Sequence, residues 1–94
     1  MYAMLSTLGP GGWETLREKP DRIREVAAEV EALGLKVHAQ YALMGQYDFL
    51  NLIEAPDEQA MMAGLCNINS AGNVHSETLR AFTEAEMEAI TKKM

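Results

Sequence analysis

Cysteine, proline, aromatic residues and basic charge are all scarce in this chain of 94 residues. The single cysteine, Cys66, excludes an internal disulfide and lacks the paired spacing of a zinc knuckle. Eight Lys and Arg residues stand against 14 Asp and Glu residues, so the formal net charge is −6. Nucleic acids and anionic membranes bind through an excess of basic residues, and we therefore expect neither as a partner.

Long hydrophobic runs are also missing. The apolar stretch from Met1 to Leu8 is short, has no basic start and is interrupted by Gly9 and Pro10. Signal peptides and membrane spans need a longer apolar segment, so we expect a cytoplasmic protein. Residues 1–94 are expected to form one domain with a modest core, since a chain of this size buries somewhat over about 60% of its unfolded surface.

Hydrophobic periodicity alternates along the chain between the repeat of a strand and the repeat of a helix. It predicts four strands, at residues 2–8, 35–43, 47–54 and 74–82. One helix is expected to begin at Pro20 and to end at Gly34, and a second to begin at Pro56 and to stop within residues 69–73. Thr83 with Glu86 forms a capping box that predicts a last helix.

The predicted order is β-α-β-β-α-β with an additional helix at the end, which is the split βαβ arrangement of ferredoxin-like domains. We therefore predict an α+β fold with a four-stranded antiparallel sheet. Right-handed crossovers place both helices on one face of that sheet. The other face then requires a covering partner or a functional role.

The segment around Gly45 is the clearest turn signal. Gly45-Gln46 is expected to form a two-residue turn, with a positive φ at Gly45 and with Met44 opposite Tyr47. The two-residue period of a strand then sorts the hairpin into two faces. The face expected against the helices carries Val37, Ala39, Tyr41, Leu43, Asp48, Leu50, Leu52 and Glu54. The face expected to be open carries His38, Gln40, Ala42, Met44, Tyr47, Phe49, Asn51 and Ile53.

The fourth strand is sorted in the same way. Leu79 and Ala81 are expected on the helix side, and the open side is expected to carry Val74, Ser76, Thr78, Arg80 and Phe82. Such a mixture of apolar and polar side chains is typical of a surface covered by a partner or of a lined pocket. Because an uncovered sheet face leaves much apolar area exposed on so small a chain, we expect at least a homodimer.

Three sequence blocks occur in order along nearly the whole chain. They are Leu43-Met44-Gly45-Gln46-Tyr47-Asp48, then Ile53-Glu54-Ala55-Pro56-Asp57-Glu58, and finally Gly72-Asn73-Val74 with Thr78-Leu79-Arg80-Ala81-Phe82. Together they resemble the GYD-domain family of small bacterial and archaeal proteins. The resemblance implies a dimeric α/β barrel, in which two ferredoxin-like sheets pack face to face around a central space. It implies no established catalytic activity.

The Gly-x-Tyr-Asp hairpin also resembles the effector-binding domains of leucine-responsive regulators, which are dimeric barrels that bind amino acids. Those regulators carry a helix-turn-helix ahead of the domain, and the sequence here has none. Other dimeric barrels of this shape include cofactor-free monooxygenases and small isomerases. Shared architecture alone is a weak guide to activity, since one fold serves many functions.

Five side chains are candidates for contact with a ligand, namely Gln40, Tyr47, Asn51, Arg80 and Trp13. The carboxamides and the phenol would orient a small molecule, while Arg80 would attract an anion. Trp13 follows a glycine-rich segment and would act as a lid over a cavity. The structural alternatives are a Tyr47 hydroxyl bonded at the dimer interface, an Arg80 in a solvated ion pair and a Trp13 docked on the neighbouring subunit.

His38 is the candidate general base, because its ordinary pKa lies near neutrality. Its structural alternative is a hydrogen-bonded interface histidine. His75 has the opposite strand parity from Arg80, so the two histidines are not expected to form a metal site together. Asp48 is expected to accept hydrogen bonds from backbone amides near the turn. Cys66 is expected to be a half-buried, inert thiol.

Three classes of function stay open. The first is a homodimeric module that binds or senses a small molecule, with its pocket between or beside the packed sheets. The second is an enzyme of monooxygenase or isomerase type that uses His38 as the base and needs no cofactor or metal. The third is a self-assembling structural protein without a ligand. A cavity that touches His38 favours the first two classes, and a dry interface favours the third.

Overall fold

The computed structural model describes residues 1–9, 11–70 and 74–94. Four strands form one sheet: β1 (Tyr2–Leu8), β2 (Lys36–Ala42), β3 (Phe49–Glu54) and β4 (Val74–Arg80). The helices are α1 (Gly12–Glu18), α2 (Arg22–Ala32), α3 (Glu58–Ser70) and α4 (Glu84–Thr91). The predicted α+β fold is therefore confirmed. Helix α1 is not among the elements that the hydrophobic periodicity predicts.

The strands are antiparallel and lie in the order β2-β3-β1-β4. β1 occupies the middle of the sheet, where Tyr2 pairs with Ile53 of β3 on one side and with Arg80 of β4 on the other. Ala42 pairs with Phe49 in the hairpin. The expected pairing of Met44 with Tyr47 gives that same register. The connection is longer than the expected two-residue turn, and the Leu43 N–H closes it by donating to the Asp48 carbonyl at 2.8 Å.

Helices α2 and α3 cover the face of the sheet that carries Met4 and Ile53. The buried core combines these two side chains with Val30, Leu35 and Met61. Val30 belongs to α2 and Met61 to α3, so the core lies between the sheet and both helices. Gly64 of α3 packs closely on Leu35, because a Cβ there would lie 2.5 Å from Leu35 Cδ1 and the leucine side chain would have to shift. Phe49 and Asn51 lie on the same face of β3 as Ile53, at a spacing of two residues, and are buried with it.

The face assignment from the sequence is therefore wrong for most of the sheet. The residues that were expected to be open but lie on the helix side are Gln40, Ala42, Phe49, Asn51, Ile53, Ser76, Thr78 and Arg80. The residues that were expected to face the helices but lie on the other side are Ala39, Tyr41, Leu50, Leu52, Glu54 and Leu79. Alternation separates two faces but does not say which one is covered, and the leucine-rich side is the uncovered one.

A β-bulge shifts the register of β2 at His38. Val37 pairs with Ile53, but Ala39 already pairs with Leu52, so β2 has one residue more than β3 between these pairs. The bulge reverses the alternation at this point. Val37 consequently packs against the core and His38 stays on the uncovered side, as the sequence predicted for both.

The uncovered side of the sheet, called the open face below, is rich in leucine. Two neighbouring rows cross it, one formed by Ala39, Leu52, Ala3 and Leu79 and the other by Tyr41, Leu50, Leu5 and Glu77. Leu79 is 47% exposed and Tyr41 is 56% exposed. Helices α2 and α3 lie on the other side, and no described residue of α4 is buried.

Local signals in the sequence explain the helix ends. Gly34 follows α2 with a φ of 89°, as expected of a residue that closes a helix. At the start of α4, the Thr83 hydroxyl accepts from the Glu86 N–H and the Glu86 carboxylate accepts from the Thr83 N–H, so the predicted capping box is confirmed. No helix in the described residues is long and apolar enough to cross a membrane. The second long helix was expected to stop within residues 69–73, and of these 71–73 lie outside the described residues, as does the side chain of Val74.

Candidate functional site

A cavity of about 80 Å³ lies between the sheet and helices α1 and α2. Its walls are formed by Met4, Ser6, Leu16, Arg22, Ile23, Val26, Val30, Gln40, Phe49 and Asn51. Two of the predicted ligand contacts, Gln40 and Asn51, are thus brought together, and they are partners across the β2–β3 ladder. The cavity lies on the helix side of the sheet, because both amides lie there and not on the open face.

Two buried polar side chains in this cavity have no partner in the described structure. Ser6 is 4% exposed and Asn51 is 7% exposed, yet neither the hydroxyl nor the carboxamide makes a hydrogen bond to any described residue. Among the described residues, Thr78 Oγ1 is the fully buried side-chain polar atom without a hydrogen bond, and Thr78 does not line the cavity. The polar atoms of Ser6 and Asn51 are therefore not sealed off, and they are available to whatever fills the cavity. Met4, Phe49 and Val30 surround these groups with apolar atoms. The cavity therefore offers unused hydrogen bonds inside an apolar wall.

Arg22 is the charged member of the cavity wall. Its guanidinium lies 3.2 Å from the Glu25 carboxylate and 3.0 Å from the Glu29 carboxylate. The hydrogen bonds to Glu29 and then to Glu25 raise the pKa of Arg22 above its ordinary value. With two carboxylates beside one guanidinium, this part of the cavity wall does not carry the net positive charge that would attract an anion.

Trp13 of α1 stacks on Phe49 of the cavity wall. The two ring centroids are 5.9 Å apart and the planes differ by 26°, which is a stacked arrangement. Trp13 remains 55% exposed and does not itself line the cavity. Leu16, three residues further along α1, does line it. The single tryptophan of the chain, which was expected to be a lid, therefore lies behind Phe49 and is separated from the cavity by that ring.

The Gly-x-Tyr-Asp segment holds the β2–β3 connection against the rest of the sheet. Gly45 has a φ of 125°, so the expected positive φ is confirmed. The Asp48 carboxylate accepts from the Leu8 backbone N–H at 2.8 Å, which confirms the expected role of that side chain. The Tyr47 hydroxyl donates to the Glu77 carboxylate of β4. That hydrogen bond raises the pKa of Tyr47 above its ordinary value. Tyr47 is not part of the cavity wall.

The other predicted site residues lie apart from the cavity. His38 Nε2 lies 3.0 Å from Glu54 Oε1 on the open face, as in its structural alternative. Arg80 donates to the Met1 carbonyl at 3.0 Å and lies over the rings of Tyr2 and Phe82, at 5.4 and 4.4 Å from their centroids. Its Nη2 is also 3.7 Å from the Glu86 carboxylate. The guanidinium is therefore already engaged by its neighbours.

The described residues show neither a metal-binding cluster nor a buried thiol. Residues 1–9, 11–70 and 74–94 contain no group of three or more His, Cys, Asp or Glu side chains positioned to hold a metal ion. Cys66 of α3 is exposed, so the expectation of a half-buried thiol is wrong. It lies one position beyond the stripe that α3 presents to the core.

Comparison with known protein families shows which family the chain belongs to. The family model of the GYD domain matches residues 2–91. The chain belongs to the GYD domain family. The earlier resemblance is therefore confirmed, including the segment from Gly45 to Asp48. No solved structure matches the chain.

One curated relative of this GYD domain chain comes from Thermus thermophilus. It is named glutamine synthetase and cystathionine beta-lyase binding protein, and it is 41% identical over 92 residues. The aligned region covers 97% of each of the two chains. The name of this relative describes binding to two enzymes.

Sequence reasoning missed the apolar members of the cavity wall and two polar ones, Ser6 and Arg22. Ser6 lies within a strand of otherwise mostly apolar residues, and this isolated polar residue on the side of Met4 is the signal that marks it. Arg22 resembles any exposed residue of a first helical turn. Nothing in the sequence indicates that α2 holds it beside the sheet.

Proposed function

We propose that this GYD domain protein is a homodimeric module that binds other proteins. The observation that carries the homodimer is the leucine-rich open face, on the side of the sheet away from α2 and α3, and the observation that carries partner binding is the exposed apolar edge of α4. Apolar surfaces of this kind on small proteins mark interaction sites. The name of the 41% identical relative supports an interaction with enzymes of metabolism, and a cytoplasmic location is part of the same proposal.

A second copy of the chain is the proposed occupant of the open face. Leu50 and Leu5 lie side by side near its middle, and Leu52 and Leu79 belong to the neighbouring row. Two such faces bury each other symmetrically in a dimer, since a twofold axis places the same patch on both subunits. The family-level expectation of a face-to-face barrel has this geometry. Dimerisation removes the leucines from water without any change within the subunit.

The exposed edge of α4 is the proposed contact for the partner protein, together with the residue that ends the chain after it. Met87 is 45% exposed and Ile90 39%, and α4 has no buried residue. Met94, which is 96% exposed, follows three residues after the end of α4. The capping box at Thr83 defines where the helix begins, so the edge is presented in a definite direction. Methionine side chains are flexible and suit surfaces that adapt to a partner.

Direct binding to two purified enzymes tests this role. Glutamine synthetase and cystathionine beta-lyase from the organism that encodes the chain are passed over the immobilised dimer in a surface plasmon resonance experiment. We expect saturable binding of at least one enzyme, and we expect Ile90→Asp to weaken it at least tenfold. Met62→Asp is the matched control, because Met62 is an exposed apolar residue on α3. Absence of binding by both enzymes would contradict the proposal.

Small-molecule binding is a second candidate, and the unpaired Ser6 and Asn51 side chains in the cavity favour it. The cavity is smaller than the roughly 300–1,000 Å³ of sites for drug-sized molecules, so the ligand would be small. A thermal-shift screen of compounds with fewer than about ten non-hydrogen atoms tests the idea, because a ligand that binds only the folded state raises its melting temperature. A flat response over a wide library would support a protein that only assembles with other proteins.

A further inference from the structure

The polar groups of the cavity define a chemical class of ligand. Asn51 and Gln40 are carboxamides on neighbouring strands in direct register, and Ser6 lies on β1 on the other side of Asn51. A carboxamide offers two N–H donors and one carbonyl acceptor, and a hydroxyl offers one donor and accepts as well. A ligand that satisfies the buried Asn51 amide therefore needs both a donor and an acceptor close together.

The charges around the cavity select an uncharged ligand. No carboxylate of the described residues lines the cavity, so an ammonium group would be buried without a counter-ion. The guanidinium of Arg22 is already bonded to Glu25 and Glu29, so a carboxylate ligand would meet two like charges beside one opposite charge. A carboxamide carries the required donor and acceptor without a net charge, and Met4 and Val30 provide apolar atoms for a short aliphatic chain.

We infer that the cavity between α2 and the sheet is a binding site for small uncharged molecules of the carboxamide or urea class, held by Asn51, Gln40 and Ser6. The inference rests on the small-molecule candidate above and is independent of protein binding through α4. The ligand carboxamide exchanges hydrogen bonds with the Asn51 carboxamide. Its aliphatic part lies against the apolar wall.

Propionamide, propionate and propylammonium are matched probes, since they share size and differ in charge. Each is titrated into nitrogen-15-labelled protein at pH 7 while the side-chain NH₂ resonances of Asn51 and Gln40 are followed by NMR. We expect saturable shifts of both resonances with propionamide in the millimolar range, and shifts at least fivefold smaller with the two ions. The fluorescence of Trp13 is a second readout, because its ring stacks on Phe49 of the wall.

Two variants establish that the response comes from this site. Asn51→Leu removes the carboxamide, and we expect the propionamide response of the Gln40 resonance to fall at least fivefold. Ser6→Ala is a smaller change in case Asn51→Leu does not fold, and we expect it to weaken binding at least twofold. Gln59→Ala, at an exposed carboxamide of α3, is the matched control and should retain the full response.

The outcomes separate this inference from the broader proposals. Equal shifts with all three probes, or shifts that survive in Asn51→Leu, would overturn the assigned ligand class and site. A silent response to propionamide together with a stabilising compound from the screen would overturn the class and leave small-molecule binding in place. Silence in both experiments would overturn both. Enzyme binding through α4 is measured separately and is affected by none of these results.

Discussion

The Asp48 carboxylate accepts a hydrogen bond from the backbone N–H of Leu8 at 2.8 Å. The bond joins the start of β3 to the last residue of β1, and the Asp48 N–H also donates to the Ser6 carbonyl at 2.8 Å. The aspartate of the Gly-x-Tyr-Asp segment thus closes the sheet at the end that carries the β2–β3 connection. Its role is structural.

Replacing Asp48 with Ala is expected to lower the free energy of unfolding by about 1–3 kcal/mol, because the partly buried Leu8 N–H loses its acceptor. Asp48→Asn keeps an acceptor oxygen and should lose less. Asp21→Ala is the control, since Asp21 precedes α2 without a side-chain cap hydrogen bond. Urea denaturation measures all three variants. Equal stability of Asp48→Ala and the parent chain would show that this bond carries no net stability.

The Tyr47 hydroxyl is expected to titrate above its ordinary pKa. Its hydrogen bond to Glu77 favours the neutral phenol, which raises the folded-state pKa. The stabilisation is therefore fully present below the unfolded pKa near 10 and is lost as the pH rises through the higher folded value. Absorbance at 295 nm should show one of the three tyrosines ionising late. In Glu77→Gln, where the charge is gone, that late step should move back towards the others.

The hairpin shows how far sequence reasoning reaches. A pairing of Met44 with Tyr47 gives the observed register from Ala42–Phe49 onwards, because side-chain alternation and a turn are sufficient to align two strands. The alignment fails at His38, where a bulge adds one residue. A bulge depends on how the strand bends over its neighbours, and no local residue pattern in this sequence predicts the bulge at His38.

The sequence alone did not show which face of the sheet the helices cover. Leu50 and Leu52 are more hydrophobic than Asn51, so counting apolar residues assigns the leucines to the helices. The structure instead buries Asn51 and leaves the leucines on the open face. A face that is uncovered in one chain can still be buried in an assembly. The hydrophobic pattern of one sequence therefore cannot distinguish burial within a subunit from burial between subunits. Gln40 and Asn51 still lie next to each other, because they share a face in either assignment.

The start of α4 is expected to respond to acid. Hydrogen bonds with Thr83, first from its backbone and then from its side chain, hold the pKa of Glu86 below its ordinary value. The stabilisation is therefore present above the unfolded pKa, near 4.5, and is lost as the pH falls through the lower folded value. NMR shifts of the α4 amides between pH 6 and pH 3 should show helix fraying at the acid end. Thr83→Ala should fray already at pH 6, and a pH-independent helix start would contradict this view.

Asn51→Leu is expected to raise the free energy of unfolding by about 1 kcal/mol when no ligand is added. The substitution replaces an amide that makes no hydrogen bond to the described residues with an apolar side chain, which buries apolar area beside Met4 and Val30 of the cavity wall. Residues kept for binding often reduce stability in this way. Chemical denaturation of both proteins measures the difference. A loss of more than about 1 kcal/mol would show that the amide has a structural partner and no spare hydrogen bonds.

Sedimentation equilibrium at micromolar concentration tests the central claim most directly, namely that the open face is buried against a second copy of the chain. The parent protein should sediment with at least twice the 10.4 kDa mass of one chain. Leu50→Glu, in the middle of the open face, should sediment as a folded monomer, whereas Met62→Glu on the exposed side of α3 should match the parent. A parent chain that remains monomeric, or a Leu50→Glu variant that assembles as well as the parent, would contradict the account.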